Sequence, residues 1–339
     1  MEIEKGKVRA PELGAVWLNS EPVELRKLRG RAVLVDFWDY ACVNCLRTLP
    51  YVVEWHKRYA DKGLSVIGVH TPEFSFAANE KFVKAAVERF GIRYPVVLDN
   101  GYAIWHAYAN RYWPAKYLID RDGYIRFFHF GEGDYGATEE AIQTLVREIF
   151  PRAELPAVME PVRDTDKPGA VCYRTTPELY LGNKRGKAAN PSGFLHENEE
   201  QAGKYALPEN VDADKVYLTG EWVSKEEFVK SAANGSAPSS IVLYYTGKEA
   251  NLVMAPDGET HEVELLHGGE PLSEGELGED AALTKDGRAV VRVDTPRMYN
   301  LVRNPGMKQK LLQLVTRKPG LECYAFTFTS CPAQDDPPW

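Results

Sequence analysis

Apolar residues follow two different rhythms along this chain. In the first half, short β-rich runs read as strands: "RAVLVDFW" (31–38), "LSVIGVH" (64–70), "YPVVLD" (94–99), "AKYLID" (115–120) and "YIRFFHF" (124–130). Between them the period changes. Leu46, Leu49, Val53 and His56 fall at three- and four-residue steps, as do Phe82, Val83, Ala86, Val87 and Phe90, and that is the spacing of one helix face. Strands alternating with helices predict an α/β sheet layered with helices. "RDG" (121–123) supplies a hairpin turn, and "TEEAIQTLVREIF" (138–150) predicts a closing helix capped by Thr138.

The rhythm stops at Pro151. "PRAELPAVMEPVRDTDKPG" (151–169) carries four prolines and no periodicity, which predicts a linker. Beyond it come short strand-like runs such as "KVYLTGEWVS", "SSIVLYYTG", "AVVRVD" and "CYAFTFTS", separated by the turn signals "PDG", "HGG", "KDG" and "KPG". That pattern predicts an antiparallel β-sandwich of jelly-roll type over 170–339. The expected organisation is thus an α/β domain over 1–150, a linker over 151–169 and an all-β domain.

Composition fits two such domains. A chain of 339 residues exceeds what one hydrophobic core usually serves. The net charge of -8 comes from interspersed acids and bases, so it gives no reason to expect a nucleic-acid partner. The first residues, "MEIEKGKVRAPELG", lack the basic-then-apolar pattern of a signal peptide, and no apolar run reaches the roughly 18 residues of a membrane span. As written, the chain is expected to be soluble and cytoplasmic; if it is cut from a longer protein, an extracytoplasmic location is the alternative.

The chemistry concentrates in "VLVDFWDYACVNCLRTLP" (33–50). Cys42 and Cys45 stand three apart at the start of a predicted helix, where unsatisfied backbone N–H groups and the helix dipole favour a thiolate. Cys42, nearer the helix start, is the expected attacking thiol, and Cys45 the thiol that resolves the mixed disulfide. A zinc site would need two more ligands at suitable spacing, and the sequence has none. Asp36 is a lone carboxylate in an apolar strand, costly to bury without a partner or a task. Placed beneath the disulfide, it is expected to act as the base that deprotonates Cys45. Pro50 lies within the helix, and Pro114 precedes a strand where a cis bond would present backbone to a substrate.

These residues together resemble a thioredoxin-fold protein. In "VLVDFWDYACVNC", Pro50 and "WPAKYLIDRDGYI", Asp36 stands where thioredoxins carry their buried acid, Cys42 and Cys45 where they carry the redox pair, and Pro114 where they carry the cis-proline. The stretch from about 76 to 110 resembles the insertion of TlpA-like thioredoxins. "HTPEF", "NRYWPAKYLID" and "FGEGDY" resemble the soluble C-terminal region of DipZ proteins, where a TlpA-like domain precedes a carbohydrate-binding-module-like β-sandwich. Departures are Ala41 in place of the usual Trp before the first cysteine, Val43-Asn44 in place of Gly-Pro, and Thr48 where many TlpA-like proteins have Glu.

The resemblance implies a thiol-disulfide oxidoreductase that works as a reductase on protein disulfides. It needs no metal or organic cofactor beyond the redox-active disulfide, and a redox partner resets the pair. Trp113, Pro114, Trp38, Tyr40, Glu73 and Glu132 are the expected substrate-binding residues. A thiol-dependent peroxidase is one alternative, although Asp36 and Tyr40 occupy places where such enzymes want Pro and Thr or Ser. A glycan-binding or scaffold protein with a vestigial redox domain is another. For that reading Trp222, Tyr244, Tyr245 and Tyr299 are the candidate sugar-stacking residues, against their being ordinary core aromatics. Any pairing among Cys172, Cys323 and Cys331 leaves one thiol over.

Overall fold

A computed structural model of the chain describes residues 6–14, 16–233 and 237–333. The chain divides into two compact units, Met1–Pro168 and Gly169–Trp339. In the first, strands β1 (Val8–Arg9), β2 (Trp17–Leu18), β3 (Ala32–Trp38), β4 (Leu64–His70), β5 (Val96–Leu98), β6 (Ala115–Ile119) and β7 (Tyr124–Phe130) form one sheet. Helices α1 (Val43–Tyr59), α2 (Glu80–Arg89), α3 (Ala103–Ala107) and α4 (Tyr135–Ile149) accompany it. The strand order is β1-β7-β6-β3-β4-β5-β2, with β3, β4 and β5 parallel and β6 and β7 antiparallel.

The central strand β3 is buried along its whole length because both faces of the sheet are covered. Val33, Val35 and Phe37 pack on one side with Ile104 and Trp105 of α3. Ala32, Leu34 and Trp38 pack on the other with Leu49, Val52 and Trp55 of α1. The α1 residues Cys45, Leu49, Val52, Trp55 and Tyr59 supply that buried face at three- and four-residue steps. Pro50 sits inside α1, which continues to Tyr59. The "RDG" turn forms as expected: Gly123 has φ +83°, and the Asp120 carboxylate accepts from the N–H groups of Asp122 and Tyr124.

Two expectations need correction. The closing helix begins at Tyr135, not Thr138, since the Tyr135 ring stacks on Tyr51 at 3.7 Å and anchors the first turn. Thr138 lies inside the helix and donates to the Asp134 carbonyl. The segment after Pro151 is no free tether. It runs back over α1 and α4, where Met159 N–H donates to the buried Glu139 carboxylate, Gln143 donates to the Pro156 carbonyl and Tyr51 to Asp166. Its prolines remove backbone donors, and side chains of the helices satisfy the Pro156 and Ala157 carbonyls and the Met159 and Val162 N–H groups.

The second unit is a β-sandwich. Its strands are β8 (Leu179–Tyr180), β9 (Gly203–Tyr205), β10 (Val216–Ser224), β11 (Val229–Ser231), β12 (Ser239–Pro256), β13 (His261–His267), β14 (Glu270–Pro271), β15 (Ala281–Leu283), β16 (Ala289–Val293), β17 (Arg297–Thr316) and β18 (Leu321–Thr329). The long strand β12 pairs antiparallel with β10, β17 and β18 and so carries the register of the whole unit. Trp222, Tyr245 and Tyr299 are buried in the core, so they do not offer faces to a sugar; Tyr244 is half-buried. Cys323 also lies in that core, while Cys172 is exposed and its backbone bridges to Pro332.

Candidate active site

The site forms where β3 ends. Cys42 caps α1, and its Sγ accepts the Cys45 N–H at 3.3 Å, which satisfies one of the open donors of the first turn. Both cysteines are buried, Cys42 at 8% exposure and Cys45 at 1%. Burial, and after it the Glu73 and Asp39 carboxylates, pushes the Cys42 thiol up, against the pull of the Cys45 thiol and N–H. Burial pushes Cys45 up further. The helix start alone therefore does not make Cys42 a ready thiolate.

Beneath α1 lie a buried acid and a buried lysine. Asp36 of β3 is in direct register with Lys116 of β6, so the two side chains share one face of the sheet, the face that α1 covers. Asp36 is 1% exposed and Lys116 fully buried. Neither Asp36 oxygen has a hydrogen-bond partner, whereas Lys116 Nζ donates to the Gly131 carbonyl at 3.3 Å. Burial raises the Asp36 carboxyl to about 7, with the Lys116 ammonium opposing that rise. Burial lowers Lys116, and Asp36 and Cys45 pull it back up.

The same register carries Pro114 to the end of the sheet where the cysteine loop leaves β3, since Phe37 pairs with Ala115. The Trp113–Pro114 peptide is cis. The Pro114 carbonyl accepts from Gly131 N–H at 2.8 Å, and Trp113 Nε1 donates to the Thr71 carbonyl at 3.0 Å. Trp113 and Glu73 are half-buried, in keeping with an exposed rim. Trp38 and Tyr40 are not on that rim: Trp38 is fully buried and Tyr40 4% exposed, so they support the loop from beneath. Glu132 is ion-paired with Arg47 at 3.0 Å and Arg163 at 3.2 Å, so it is held within the protein rather than presented to a substrate.

Three residues of this neighbourhood were not singled out from the sequence: Asp39, His70 and Lys116. Lys116 had a visible signal, a lone cation in the apolar run "AKYLID".

Comparison with known proteins agrees with this architecture. Residues 5–145 match the Redoxin family model and residues 176–329 the model described as "Thioredoxin like C-terminal domain". The protein named thiol-disulfide oxidoreductase ResA from Halalkalibacterium halodurans is 32% identical over 136 residues, which are 40% of this chain and 72% of that protein. The chain belongs to the thioredoxin-like thiol-disulfide oxidoreductases. Protein DipZ of Mycobacterium tuberculosis is 36% identical over 324 residues, covering 94% of this chain and 42% of DipZ. This thioredoxin-like chain thus spans about two-fifths of the length of its DipZ relatives. Among the described residues, no helix is long and apolar enough to cross a membrane.

Proposed function

We propose that the chain reduces protein disulfides through Cys42 and Cys45. Cys42 attacks, Cys45 resolves the mixed disulfide, and a separate redox partner returns the pair to the dithiol. The observation that carries the direction is the environment of Cys42: a buried thiol pushed up by burial and by neighbouring carboxylates. A nucleophilic thiol of low pKa stabilises the reduced form and makes an oxidant; one held high leaves the disulfide the more stable product and makes a reductant. Asp36, raised to about 7, is suited to accept the Cys45 proton near neutrality. No organic cofactor enters the exchange, because the electrons travel in the sulfur–sulfur bond itself.

The test is insulin reduction together with the potential of the Cys42–Cys45 couple set against glutathione. The expected result is turnover that Cys42→Ser abolishes and a potential nearer that of thioredoxin, roughly -270 mV, than the roughly -120 mV of an oxidant such as DsbA. A potential at the oxidising end would overturn the direction. Peroxide consumption without insulin reduction would overturn the substrate class.

A further inference from the structure

Asp36 is not the only buried carboxylate at this site. Asp39, three residues before Cys42, is fully buried, and its two oxygens face different loops. Oδ1 accepts from Ala41 N–H at 2.7 Å, on the residue before Cys42, and Oδ2 accepts from Glu73 N–H at 2.5 Å, in the loop after β4. Thr71 N–H donates to the Trp38 carbonyl, and the Thr71 carbonyl in turn holds Trp113. One carboxylate therefore ties the loop that delivers Cys42 to the loop that anchors the residue before Pro114.

The pocket around Asp39 is closed off by its neighbours. His70 is fully buried, stacked on Tyr40 at 5.6 Å and edge-on to Trp38 at 5.2 Å, and neither ring nitrogen has a hydrogen-bond partner. Its Nε2 lies 3.9 Å from Asp39 Oδ1. Burial holds the imidazole down to about 3, so it supplies no cation. The titratable groups facing Asp39 are Tyr40 on its own loop, Cys42 and Cys45 at the start of α1, and His70 and Glu73 from β4 and the loop after it. Two negative charges in such a place, a carboxylate and a thiolate, are far costlier than one.

We propose that Asp39 is a positioning residue that shares a single negative charge with Cys42. When ionised, Asp39 fastens the two loops; burial raises its carboxyl to about 7, so near neutrality part of the population carries a proton there. Cys42 reaches its thiolate with a proton on Asp39, either one already there or the one that leaves its own thiol, so the site holds one negative charge at a time. The thiolate then attacks one sulfur of the substrate disulfide; a bond forms between that sulfur and Cys42, and the other sulfur leaves as a thiolate that takes a proton from water. Cys42 is now uncharged, and Asp39 returns its proton to solvent and fastens the loops again. This role rests on Cys42 being the attacking thiol, as proposed above.

The experiment is the pH profile of Cys42 alkylation by iodoacetamide in the full chain carrying Cys45→Ser, followed on the Cys42 peptide by mass spectrometry. Adding Asp39→Asn is expected to raise the rate at pH 7 about tenfold and to move the midpoint down by about one pH unit. Superimposable profiles would overturn the assignment and leave Asp39 a packing residue. If Asp39→Asn fails to fold, infrared spectra of the chain carrying Asp36→Asn decide instead. A carboxylic-acid band must persist to higher pH than it does in the same chain alkylated at Cys42, because only a thiolate there holds the proton on Asp39; superimposable band titrations overturn the proposal. Alkylation needs no disulfide substrate, so a shifted profile in a chain inactive on insulin counts for the Asp39 role and against the proposed function.

Discussion

Replacing Asp36 with Asn isolates the energetic price of keeping an acid beneath the thiols. The carboxyl is 1% exposed, has no hydrogen-bond partner on either oxygen, and is raised to about 7 from its ordinary 3.8. In the unfolded chain it loses its proton near 4, so between pH 4 and 7 the folded state holds a proton that the unfolded state does not. Stability contributed by the protonated form is therefore lost as pH rises through that window, and the slope flattens above 7, where both states are ionised. From pH 5 to pH 8 the loss amounts to about 2 to 3 kcal/mol. Asn has no such term. The stability of Asp36→Asn relative to the parent is thus expected to rise by that amount over the same interval, most of it before pH 7, whatever constant offset the new amide adds. Urea unfolding of both chains at pH 5, 6, 7 and 8 measures it, and titration of Asp39 cancels in the difference. A difference that stays flat from pH 5 to 8 would refute the reasoning and put the carboxylate in contact with water. In stopped-flow kinetics the same substitution is expected to slow resolution of the mixed disulfide by about 100-fold or more near neutrality while sparing the first attack.

Three further outcomes follow from the same contacts. Cys45→Ser is expected to accumulate mixed disulfides with client proteins, visible on non-reducing gels, whereas Cys42→Ser traps none; trapping through Cys42→Ser would reverse the two roles. A fragment ending at Pro168 is expected to melt as a cooperative unit well above one ending at Phe150, because the shorter piece strips the partners of Glu139, Gln143 and Tyr51; equal melting temperatures would show that the 151–168 strap adds nothing. Glu139→Gln, which weakens a buried carboxylate bonded to Trp55, Arg58, Tyr59 and Met159, is expected to cost about 3 kcal/mol by denaturant unfolding, and a loss below about 1 kcal/mol would contradict that reading.

Much of the fold was legible because its signals are local. Strand runs, helix spacing and the "RDG" turn depend on neighbours within a few residues, and they placed β3, β4, β6, β7 and α1 correctly. The strap over 151–168 was misjudged for the opposite reason: prolines and lost periodicity mark the absence of a helix or strand, not of contacts, and Arg58 and Gln143 meet it across distant sequence. Asp36 was found because a single acid in an apolar run is conspicuous. Lys116 obeys the same rule, yet its meaning needs the register of β3 against β6, which no local pattern contains. Asp39 and His70 sit at strand ends, where polar residues are ordinary, so only their burial distinguishes them. Trp38 and Tyr40 were expected among the substrate-binding residues from the family resemblance, but β3 is covered on both faces and the turn that follows it is buried too, so both side chains lie inside.

The charges around the two sulfurs are unequal, and that inequality bears on the half of the cycle in which the pair is recharged. Cys42 faces the carboxylates of Asp39 and Glu73, whereas Cys45 lies over a face that carries both Asp36 and the Lys116 ammonium. In the proposed exchange, an incoming thiolate from the redox partner attacks the sulfur of Cys42, and Cys45 leaves as the thiolate. A leaving group departs faster when its negative charge is stabilised, and the Lys116 ammonium, which Cys45 in turn holds up, supplies such a charge. Attack in the other sense, on Cys45 with Cys42 leaving, would develop charge beside two carboxylates and bury it there. Exposure points the same way, since Cys42 is the less buried of the two sulfurs. Sterics and electrostatics therefore select the same sulfur for contact with partners on both halves of the cycle, and the acid and lysine beneath α1 serve the one that never leaves the interior.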